Sequence, residues 1–349
     1  MAFEVDRFVK EWVYRIEPYI PGEMKKDYIK LASNENNYGP SPKVAETIKK
    51  YIKSINVYPY KDTEVKEAIA EYCNVEKENI IVGSGSDELI DIILKVFKSP
   101  VIFFNPTFIE YKICSQILGE KYFYVNLNDD FSFPKESFIN NASNANIIFL
   151  CSPNNPTGSI ISLDDIEDIL ELGKITIVDE AYFEFYGRTS CSLLDDYKNL
   201  IILRTFSKAF ALGGLRIGYG IADSEIIDLL MKVKQPFNVS SIAQVAAIAA
   251  LSDIKFMKRN VNSIIKDRDI LYKKLSEKFR AFKSYANFIL IDSSPMKSED
   301  FFSRLYENRI IVRRIGKISG FDGDYIRITV GTSNENRKLL NVIDNLDNL

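Results

Sequence analysis

The chain has 349 residues, of which 46% are hydrophobic, and its formal net charge at pH 7 is −3. This length and composition allow a sizeable core and predict two domains. Lys and Arg are spread along the chain without the basic stripe that nucleic-acid binding needs, and no apolar run is long enough to cross a bilayer. We therefore expect neither a nucleic-acid nor a membrane partner.

Histidine is absent, and the four cysteines lie far apart. The missing imidazole excludes Ser-His and Cys-His catalysis as well as histidine metal sites. Neither the carboxylates nor the cysteines show the spacing of a metal site, so no metal is expected. The cysteines form no C-x-x-C pair and the N-terminus has no apolar signal region, which indicates a reduced, cytoplasmic protein. Any proton transfer must then use Asp, Glu, Lys, Tyr or Cys.

The first two thirds of the chain alternate short apolar runs with helical patterns, which is typical of a mostly parallel α/β sheet. An irregular crossing segment at Leu31–Pro42 precedes them. Continuous apolar runs of this length suit strands that are covered on both faces. Strands are predicted at Ile80–Val82, Val101–Phe104, Ile147–Cys151, Ile175–Val178, Leu200–Leu203 and Ile217–Ile221.

The last third of the chain has the pattern of a separate, smaller α/β domain. Two long helical patterns, Ser240–Ala250 and Lys255–Phe279, come first. Predicted strands and helices then alternate at Phe288–Ile291, Glu299–Glu307, Ile310–Val312, Tyr325–Val330 and from Asn334 onward. We therefore predict three parts: an N-terminal segment, residues 1–35, that packs with the small domain, a large domain at 36–245, and the small C-terminal domain at 246–349.

Polar motifs follow five of the predicted strands directly. They are Gly83–Asp87, Asn105–Phe108, Ser152–Gly158, Asp179–Tyr182 and Thr205–Lys208. In open α/β sheets, ligands bind outside the carboxyl ends of the strands. The shared placement of the five motifs predicts that they converge on one site.

The motif from Gly83 to Asp87 opens a helix, whose free N–H groups and positive dipole end favour a phosphate. A helix N-cap at Ser86 would explain the motif equally well. No Lys-Ser/Thr pair follows, so it is not a Walker loop, and the third glycine of G-x-G-x-x-G is missing.

The stretch from Thr205 to Arg216, T-F-S-K-A-F-A-L-G-G-L-R, places Lys208 between hydroxyl residues and a glycine-rich turn. A lysine at such a turn can form a Schiff base with an aldehyde cofactor, and the hydroxyls and the arginine can hold its phosphate. Most lysines are simply exposed on the surface. Desolvation near other cations would instead lower the pKa of Lys208 and make it a nucleophile and base.

Other polar and aromatic residues admit two interpretations each. Asp179 ends a buried strand, where a carboxylate needs a partner, either a protonated ring nitrogen or a structural arginine. Asn155 and Tyr182 can donate to a ring oxygen, or serve only a turn and the core. Phe108 can stack on a flat ring or fill the core. The planar guanidinium of Arg327 can bind a carboxylate or phosphate, or it can simply be exposed on a surface strand.

Taken together, these strings resemble the fold-type-I pyridoxal-phosphate aminotransferases, and within them the histidinol-phosphate aminotransferase family. The resemblance runs from about Leu31 to Thr332 and rests on L-A-S-N-E-N-N-Y-G-P, S-P-N-N-P-T-G, D-E-A-Y, S-K-A-F-A-L-G-G-L-R-I-G-Y and R-I-T-V-G-T. It implies a large domain with a mostly parallel seven-stranded sheet between helices and a smaller α/β C-terminal domain.

The resemblance also implies roles for matching residues in binding pyridoxal 5'-phosphate. Lys208 forms the covalent link and then moves the proton, Asp179 pairs with the pyridinium nitrogen, and Tyr182 bonds the 3′ oxygen; these three are the implied catalytic residues. Asn155 shares the bond to that oxygen, and Phe108 stacks on the ring. The implied phosphate-binding residues are Gly85, Ser86, Asp87, Thr205, Ser207 and Arg216.

Substrate and partner residues are likewise implied by the resemblance. Asn34, Arg313 and Arg327 would bind substrate, the arginines taking the phosphate of histidinol phosphate and the carboxylate of glutamate. Tyr58 would reach the cofactor phosphate of the other subunit, which implies a homodimer.

The implied activity is amino transfer between L-histidinol phosphate or imidazole acetol phosphate and 2-oxoglutarate or glutamate, in histidine biosynthesis. An aromatic amino-acid aminotransferase would share every cofactor residue, and a threonine-phosphate decarboxylase, a lyase, resembles the same family. A regulator without turnover would need a DNA-binding domain, for which thirty leading residues without a basic helix leave no room. An oxidoreductase would need an acidic residue after the next strand, where Phe103-Phe104-Asn105 has none.

Overall fold

The computed structural model describes residues 3–18, 22–59 and 61–345. Within these ranges the strands are β1 (Ile29–Leu31), β2 (Ile80–Gly83), β3 (Val101–Asn105), β4 (Tyr122–Asn126), β5 (Ile147–Cys151), β6 (Ile175–Asp179), β7 (Leu200–Thr205), β8 (Gly218–Ala222), β9 (Arg280–Ala281), β10 (Phe288–Asp292), β11 (Ile310–Gly316) and β12 (Tyr325–Thr329).

The α-helices connect and cover these strands. In the same ranges they are α1 (Pro42–Tyr51), α2 (Thr63–Cys73), α3 (Gly85–Val96), α4 (Glu110–Leu118), α5 (Lys135–Ala142), α6 (Leu163–Leu170), α7 (Phe183–Tyr186), α8 (Ser224–Met231), α9 (Ser241–Leu251), α10 (Ile254–Ser276), α11 (Ser298–Glu307) and α12 (Ser333–Asp344). No helix in the described part of the chain has both the length and the apolar character to span a membrane.

The larger sheet has seven strands in the order β2-β8-β7-β6-β5-β3-β4, and β8 alone runs antiparallel to its neighbours. All residues of β5 and β7 are buried, as are four of the five in β6. Helices on both faces exclude water from such strands, which is why the sequence shows continuous apolar runs rather than alternation. The predicted mostly parallel seven-stranded sheet is thereby confirmed.

Two features of the larger sheet were not foreseen. The edge strand β4 was not predicted, although Tyr122–Val125 is a short apolar run, and none of its residues is fully buried. The predicted strand at Ile217–Ile221 is present as β8, but its direction is reversed relative to the others. A run of apolar residues carries no information about strand direction, so this reversal could not be read from the sequence.

The smaller sheet has the order β1-β11-β12-β10-β9, so its edge strand β1 comes from the N-terminal part of the chain. Leu31 pairs with Val312 in parallel register, and the Tyr306 hydroxyl donates to Glu23 at 2.7 Å. Further toward the N-terminus, the indole of Trp12 donates to the Ile117 carbonyl on α4 at 3.1 Å. The N-terminal segment thus contacts helix α4 as well as the smaller sheet, while the three-part division of the chain stays a prediction.

Candidate active site

A cavity of about 210 Å³ lies where the carboxyl ends of the parallel strands face the smaller sheet. All the site residues predicted from the sequence line it, except Gly85 and Tyr58. The residues on the side of the larger sheet, mostly in the segments that follow its strands, are Ser86, Asp87, Phe108, Asn155, Asp179, Tyr182, Thr205, Ser207, Lys208 and Arg216. Those from the crossing segment and the smaller sheet are Asn34, Arg313 and Arg327. The five strand-end motifs therefore do converge on one space.

Lys208 lies just after β7, and its Nζ donates to the Ser33 carbonyl at 3.1 Å. Burial in the cavity wall lowers the pKa of Lys208 to about 8, and the positive charge of Arg327 acts in the same direction. A sizeable fraction of this amine is therefore neutral near pH 8. A neutral amine is what nucleophilic attack on an aldehyde and proton abstraction both require.

Asp179 is the last residue of β6, and only 1% of it is exposed. Burial raises the pKa of its carboxyl to about 6, against the opposing effect of two hydrogen bonds. The Tyr111 hydroxyl donates to Oδ2 at 2.7 Å and the Ala181 amide to Oδ1 at 3.1 Å. No Lys or Arg of the described residues pairs with Asp179.

The sequence suggested a structural arginine as an alternative partner of Asp179. In the structure that arginine pairs with the neighbouring residue, Glu180. Arg204 and Glu180 form an ion pair at 2.8 Å, with both side chains about 3% exposed. Thr189 Oγ1 also donates to Glu180 at 2.8 Å. Because this pair satisfies Glu180, the carboxylate of Asp179 remains available to a cationic group in the cavity.

A group of hydrogen-bond donors suited to an anion lies at the start of α3, and we call it the anion cradle. Its side chains are those of Ser86, Thr205, Ser207 and Arg216. Ser86 is inside the first turn of this helix rather than at the N-cap position, which Ser84 occupies, so the capping interpretation of Ser86 is wrong. Thr205 Oγ1 donates to Ser207 Oγ at 3.0 Å, which places two hydroxyls opposite the helix end. Backbone N–H groups, hydroxyls and a guanidinium together form a suitable set of donors for a phosphate.

Arg216 is positioned in this cradle by its contacts with the helix start. Its Nη2 donates to Asp87 Oδ2 at 2.9 Å, so the Asp87 carboxylate orients the guanidinium. Gly85 has a φ of +78°, and a Cβ there would lie 2.7 Å from Arg216 Nη2. Glycine is favoured at this position, because a side chain would be strained at this φ and would have to displace the guanidinium.

Two donors that follow the neighbouring strands β5 and β6 line the cavity. Asn34 Nδ2 donates to Tyr182 Oη at 2.9 Å, so the tyrosine keeps its own hydroxyl proton for another acceptor. Arg327 Nη1 donates to Asn155 Oδ1, which leaves the amide nitrogen of Asn155 as a donor. A ring oxygen between Tyr182 and Asn155 would accept from both.

The crossing segment joins the two halves of the site through its backbone. The Ala32 carbonyl accepts from Arg327 Nη2 at 2.8 Å, and the next carbonyl, of Ser33, accepts from Lys208. Asn34 has a φ of 56°, in the left-handed region that asparagine tolerates, and its amide N–H donates to Thr329 Oγ1 at 3.0 Å. This segment therefore fixes the lysine and the arginine relative to each other.

Tyr58 lies outside the cavity of its own chain. Its side chain is 76% exposed and stacks on Phe237, with ring centroids 5.0 Å apart. It lines a separate surface depression together with Ile55, Val57 and Ser240. A single chain does not bring Tyr58 to the other site residues.

Tyr111 is the main site residue that sequence reasoning missed. It is fully buried on α4, its ring stacks on Phe149 at 4.6 Å, and its hydroxyl bonds Asp179. The only available signal was a tyrosine three residues after Phe108, on the inner face of a helix that follows a polar motif. A core aromatic gives the same pattern.

These residues provide a partner for each polar group of pyridoxal 5'-phosphate. Lys208 supplies an amine for the aldehyde, Asp179 a buried carboxylate for the ring nitrogen, and Asn155 with Tyr182 two donors for the 3′ oxygen. The cradle at the start of α3 suits the phosphate, and Phe108 lies in the wall, edge-on to Tyr111. The donor set therefore fits this cofactor.

Comparisons with known proteins agree with this geometry. Residues 26–343 match the family model described as aminotransferase class I and II. A histidinol-phosphate aminotransferase of Methanocaldococcus jannaschii is 37% identical over 98% of each chain, and one of Caldanaerobacter subterraneus subsp. tengcongensis is 40% identical over 90% of this chain and 92% of its own. The solved histidinol-phosphate aminotransferase of Sinorhizobium meliloti, in complex with pyridoxal-5'-phosphate, has the same fold, with a TM-score of 0.89, 24% identity and 99% of each chain covered.

Proposed function

The chain belongs to the class I and II aminotransferases, and from that membership we propose that it is a histidinol-phosphate aminotransferase. It would exchange the amino group between L-histidinol phosphate or imidazole acetol phosphate and 2-oxoglutarate or glutamate, as a step of histidine biosynthesis. Relatives that are 37% and 40% identical over nearly their whole length bear this name. The observation that carries the proposal is the cavity in which Lys208 and Asp179 lie across from Arg313 and Arg327.

Pyridoxal phosphate, the cofactor of this enzyme class, supplies when bound an electron-withdrawing ring conjugated to the substrate nitrogen. In our proposal Asp179 keeps the proton on the ring nitrogen, because a buried anion stabilises a neighbouring positive charge. The cradle of Ser86, Thr205 and Arg216 binds the phosphate and fixes the position of the ring. Asn155 and Tyr182 orient the ring from its 3′ oxygen.

Lys208 is the proposed base that removes the proton from the substrate Cα. Its lowered pKa makes the neutral amine available near pH 8. The chain contains no imidazole, and Lys208 is the amine that lines the cavity among the described residues. A lysine that acts as base at the substrate Cα and as acid at the cofactor C4′, on the other side of the substrate nitrogen, would need only a small movement between them.

Arg313 and Arg327 are the proposed anchors for the anionic ends of the substrates. Arg327 is 8% exposed, and Asn155 and the Ala32 carbonyl hold its guanidinium in a fixed orientation. A preorganised planar fork matches either a carboxylate or a phosphate. One pair of arginines can thus serve glutamate and the phosphate ester in turn.

A substrate panel tests the assignment. With the cofactor-loaded protein, we expect kcat/KM for histidinol phosphate to exceed that for phenylalanine by about 100-fold or more, because a site with fixed polar anchors rejects substrates that leave them unpaired. Histidinol, which lacks the phosphate, is the matched control. A preference for phenylalanine, or release of carbon dioxide from threonine phosphate, would instead support the aromatic aminotransferase or the lyase.

We further propose that the protein acts as a cytoplasmic homodimer. The surface around Tyr58 exposes Ile55, Val57 and Phe237, each more than half accessible. An apolar patch of this kind on a soluble enzyme supports a protein interface. All four cysteines are free, which agrees with a reducing compartment.

Hybrid dimers test whether Tyr58 acts on the partner's site. Lys208→Ala and Tyr58→Ala subunits are mixed, dissociated and reassociated at a cofactor concentration that leaves Tyr58→Ala largely unloaded. If Tyr58 acts across the interface, half of the dimers contain one complete site, so we expect about one quarter of wild-type activity. If Tyr58 acts within its own chain, no complete site forms and the mixture stays inactive.

A further inference from the structure

A groove of about 370 Å³ adjoins the active-site cavity. The turn between β3 and α4 forms one wall, and the second half of β11 with the residues after it forms the other. Phe108, Asn155, Arg313 and Arg327 line both the groove and the cavity. The two spaces therefore meet at the proposed substrate anchors.

The groove is strongly cationic. Among the described residues that line it there is no Asp or Glu, and there are five basic side chains, namely Lys112, Arg313, Arg314, Lys317 and Arg327. The inner cavity differs, because Asp87, Glu110 and Asp179 line it together with its cations. We call this surface the cationic groove.

Three of the five basic side chains lie outside the cavity. Lys112, on α4, and Arg314 and Lys317, on the opposite wall, are exposed to solvent. Arg314 also pairs with Glu299 at 3.2 Å, where both side chains are at least half accessible. Lys112 and Lys317 are therefore the cations that distinguish the cationic groove from the inner site.

The net charge of the chain determines how much the cations of the groove matter for binding an anionic substrate. The chain carries −3 overall, so its average field repels an anionic substrate. At physiological ionic strength the Debye length is about 8 Å, so only charges close to the path of the substrate act on it. A cleft lined by one sign of charge raises the local concentration of the opposite ion by about 10-fold or more.

We propose that the cationic groove is an outer binding site for the phosphate monoester group of the substrate. The dianionic phosphate is captured between Lys112 and Lys317 and then passes to Arg313 and Arg327. Nothing covalent changes in this step; the phosphate exchanges one set of N–H donors for another. The identity of the substrate rests on the proposed function, while the site itself rests on the charge and continuity of the two spaces.

The double variant Lys112→Glu/Lys317→Glu tests the outer site, and Lys258→Glu serves as control. Lys258 is exposed on α10 and lines neither space, so its reversal changes net charge without touching the groove. We expect the double variant to lower kcat/KM for histidinol phosphate about tenfold at low salt, with kcat unchanged. At about 0.5 M salt the loss should shrink to about twofold, since the Debye length is then only a few Å.

A second measurement does not depend on turnover. Glycerol 2-phosphate, a phosphate monoester without an amino group, is titrated calorimetrically into the cofactor-loaded wild type and both variants. The proposal requires weaker, less salt-dependent binding in the double variant and wild-type binding in Lys258→Glu. Equal affinity in all three proteins, or a fall in kcat/KM that salt does not alter, would overturn it. A wild type that binds glycerol 2-phosphate through the groove but does not convert histidinol phosphate would refute the proposed function alone.

Discussion

Replacing Lys208 by alanine is expected to lower kcat by about 10³-fold or more, because the substitution removes the proposed base from a site that contains no imidazole. Loss of the covalent link to the cofactor should accompany it. Borohydride treatment of the wild type should bleach the yellow colour and fix the cofactor to the single peptide that contains Lys208. The alanine variant should bind the cofactor reversibly and yield no labelled peptide.

Lys198→Ala is the matched control for this experiment. Lys198 is a lysine near β7 whose side chain is 73% exposed. Its loss should change neither the label nor kcat. Near wild-type turnover by Lys208→Ala, or a borohydride label on another lysine, would show that Lys208 is not the base.

Asp179→Asn should lower kcat by about 10²–10³-fold, because removing one partner of a buried charge pair costs about 3–5 kcal/mol. Asparagine has the same shape, yet its amide presents a donor to the ring nitrogen and no longer favours the protonated ring.

Tyr111→Phe should cause a smaller loss of kcat, about 10–100-fold, since it removes one hydrogen bond to the Asp179 carboxylate and keeps the ring stacked on Phe149. Both variants should also bind the cofactor more weakly than the wild type, as measured by equilibrium dialysis. The larger loss of affinity is expected for Asp179→Asn.

Thermal unfolding of the cofactor-free protein separates this effect from a loss of fold. The folded pKa of Asp179 is raised to about 6, so the stability gained by protonating it is present at low pH and is lost as pH rises through about 6. At pH 8 the buried anion destabilises the cofactor-free fold, and Asp179→Asn should melt at the same temperature as the wild type or higher. A variant that melts well below the wild type at pH 8 would mean that Asp179 serves folding rather than the cofactor.

The parts of the fold that sequence could predict are those where burial leaves a clear pattern. Strands β5, β6 and β7 are buried on both faces, and their apolar runs mark their positions to within two residues. Parallel strands bring their carboxyl ends to one edge, so the polar motifs that follow them had to meet. This reasoning located Lys208 and Asp179 without knowledge of any contact.

What sequence could not predict depends on distances between remote residues. Tyr111 bonds Asp179 across 68 positions, and the same helical pattern would suit an ordinary core tyrosine. The ion pair of Glu180 with Arg204 joins the residue after β6 to strand β7, and which of two adjacent acids takes the arginine follows from the register of β6 and β7. The cationic groove likewise exists only because α4 and β11 face each other.

In our proposal a lysine moves the proton of the substrate, and histidine occurs nowhere in the 349 residues. Ribosomes can therefore translate these 349 residues without any histidyl-tRNA. In a cell whose histidine pool is exhausted, synthesis of an enzyme that helps to refill the pool would not stall for want of the amino acid it serves to make.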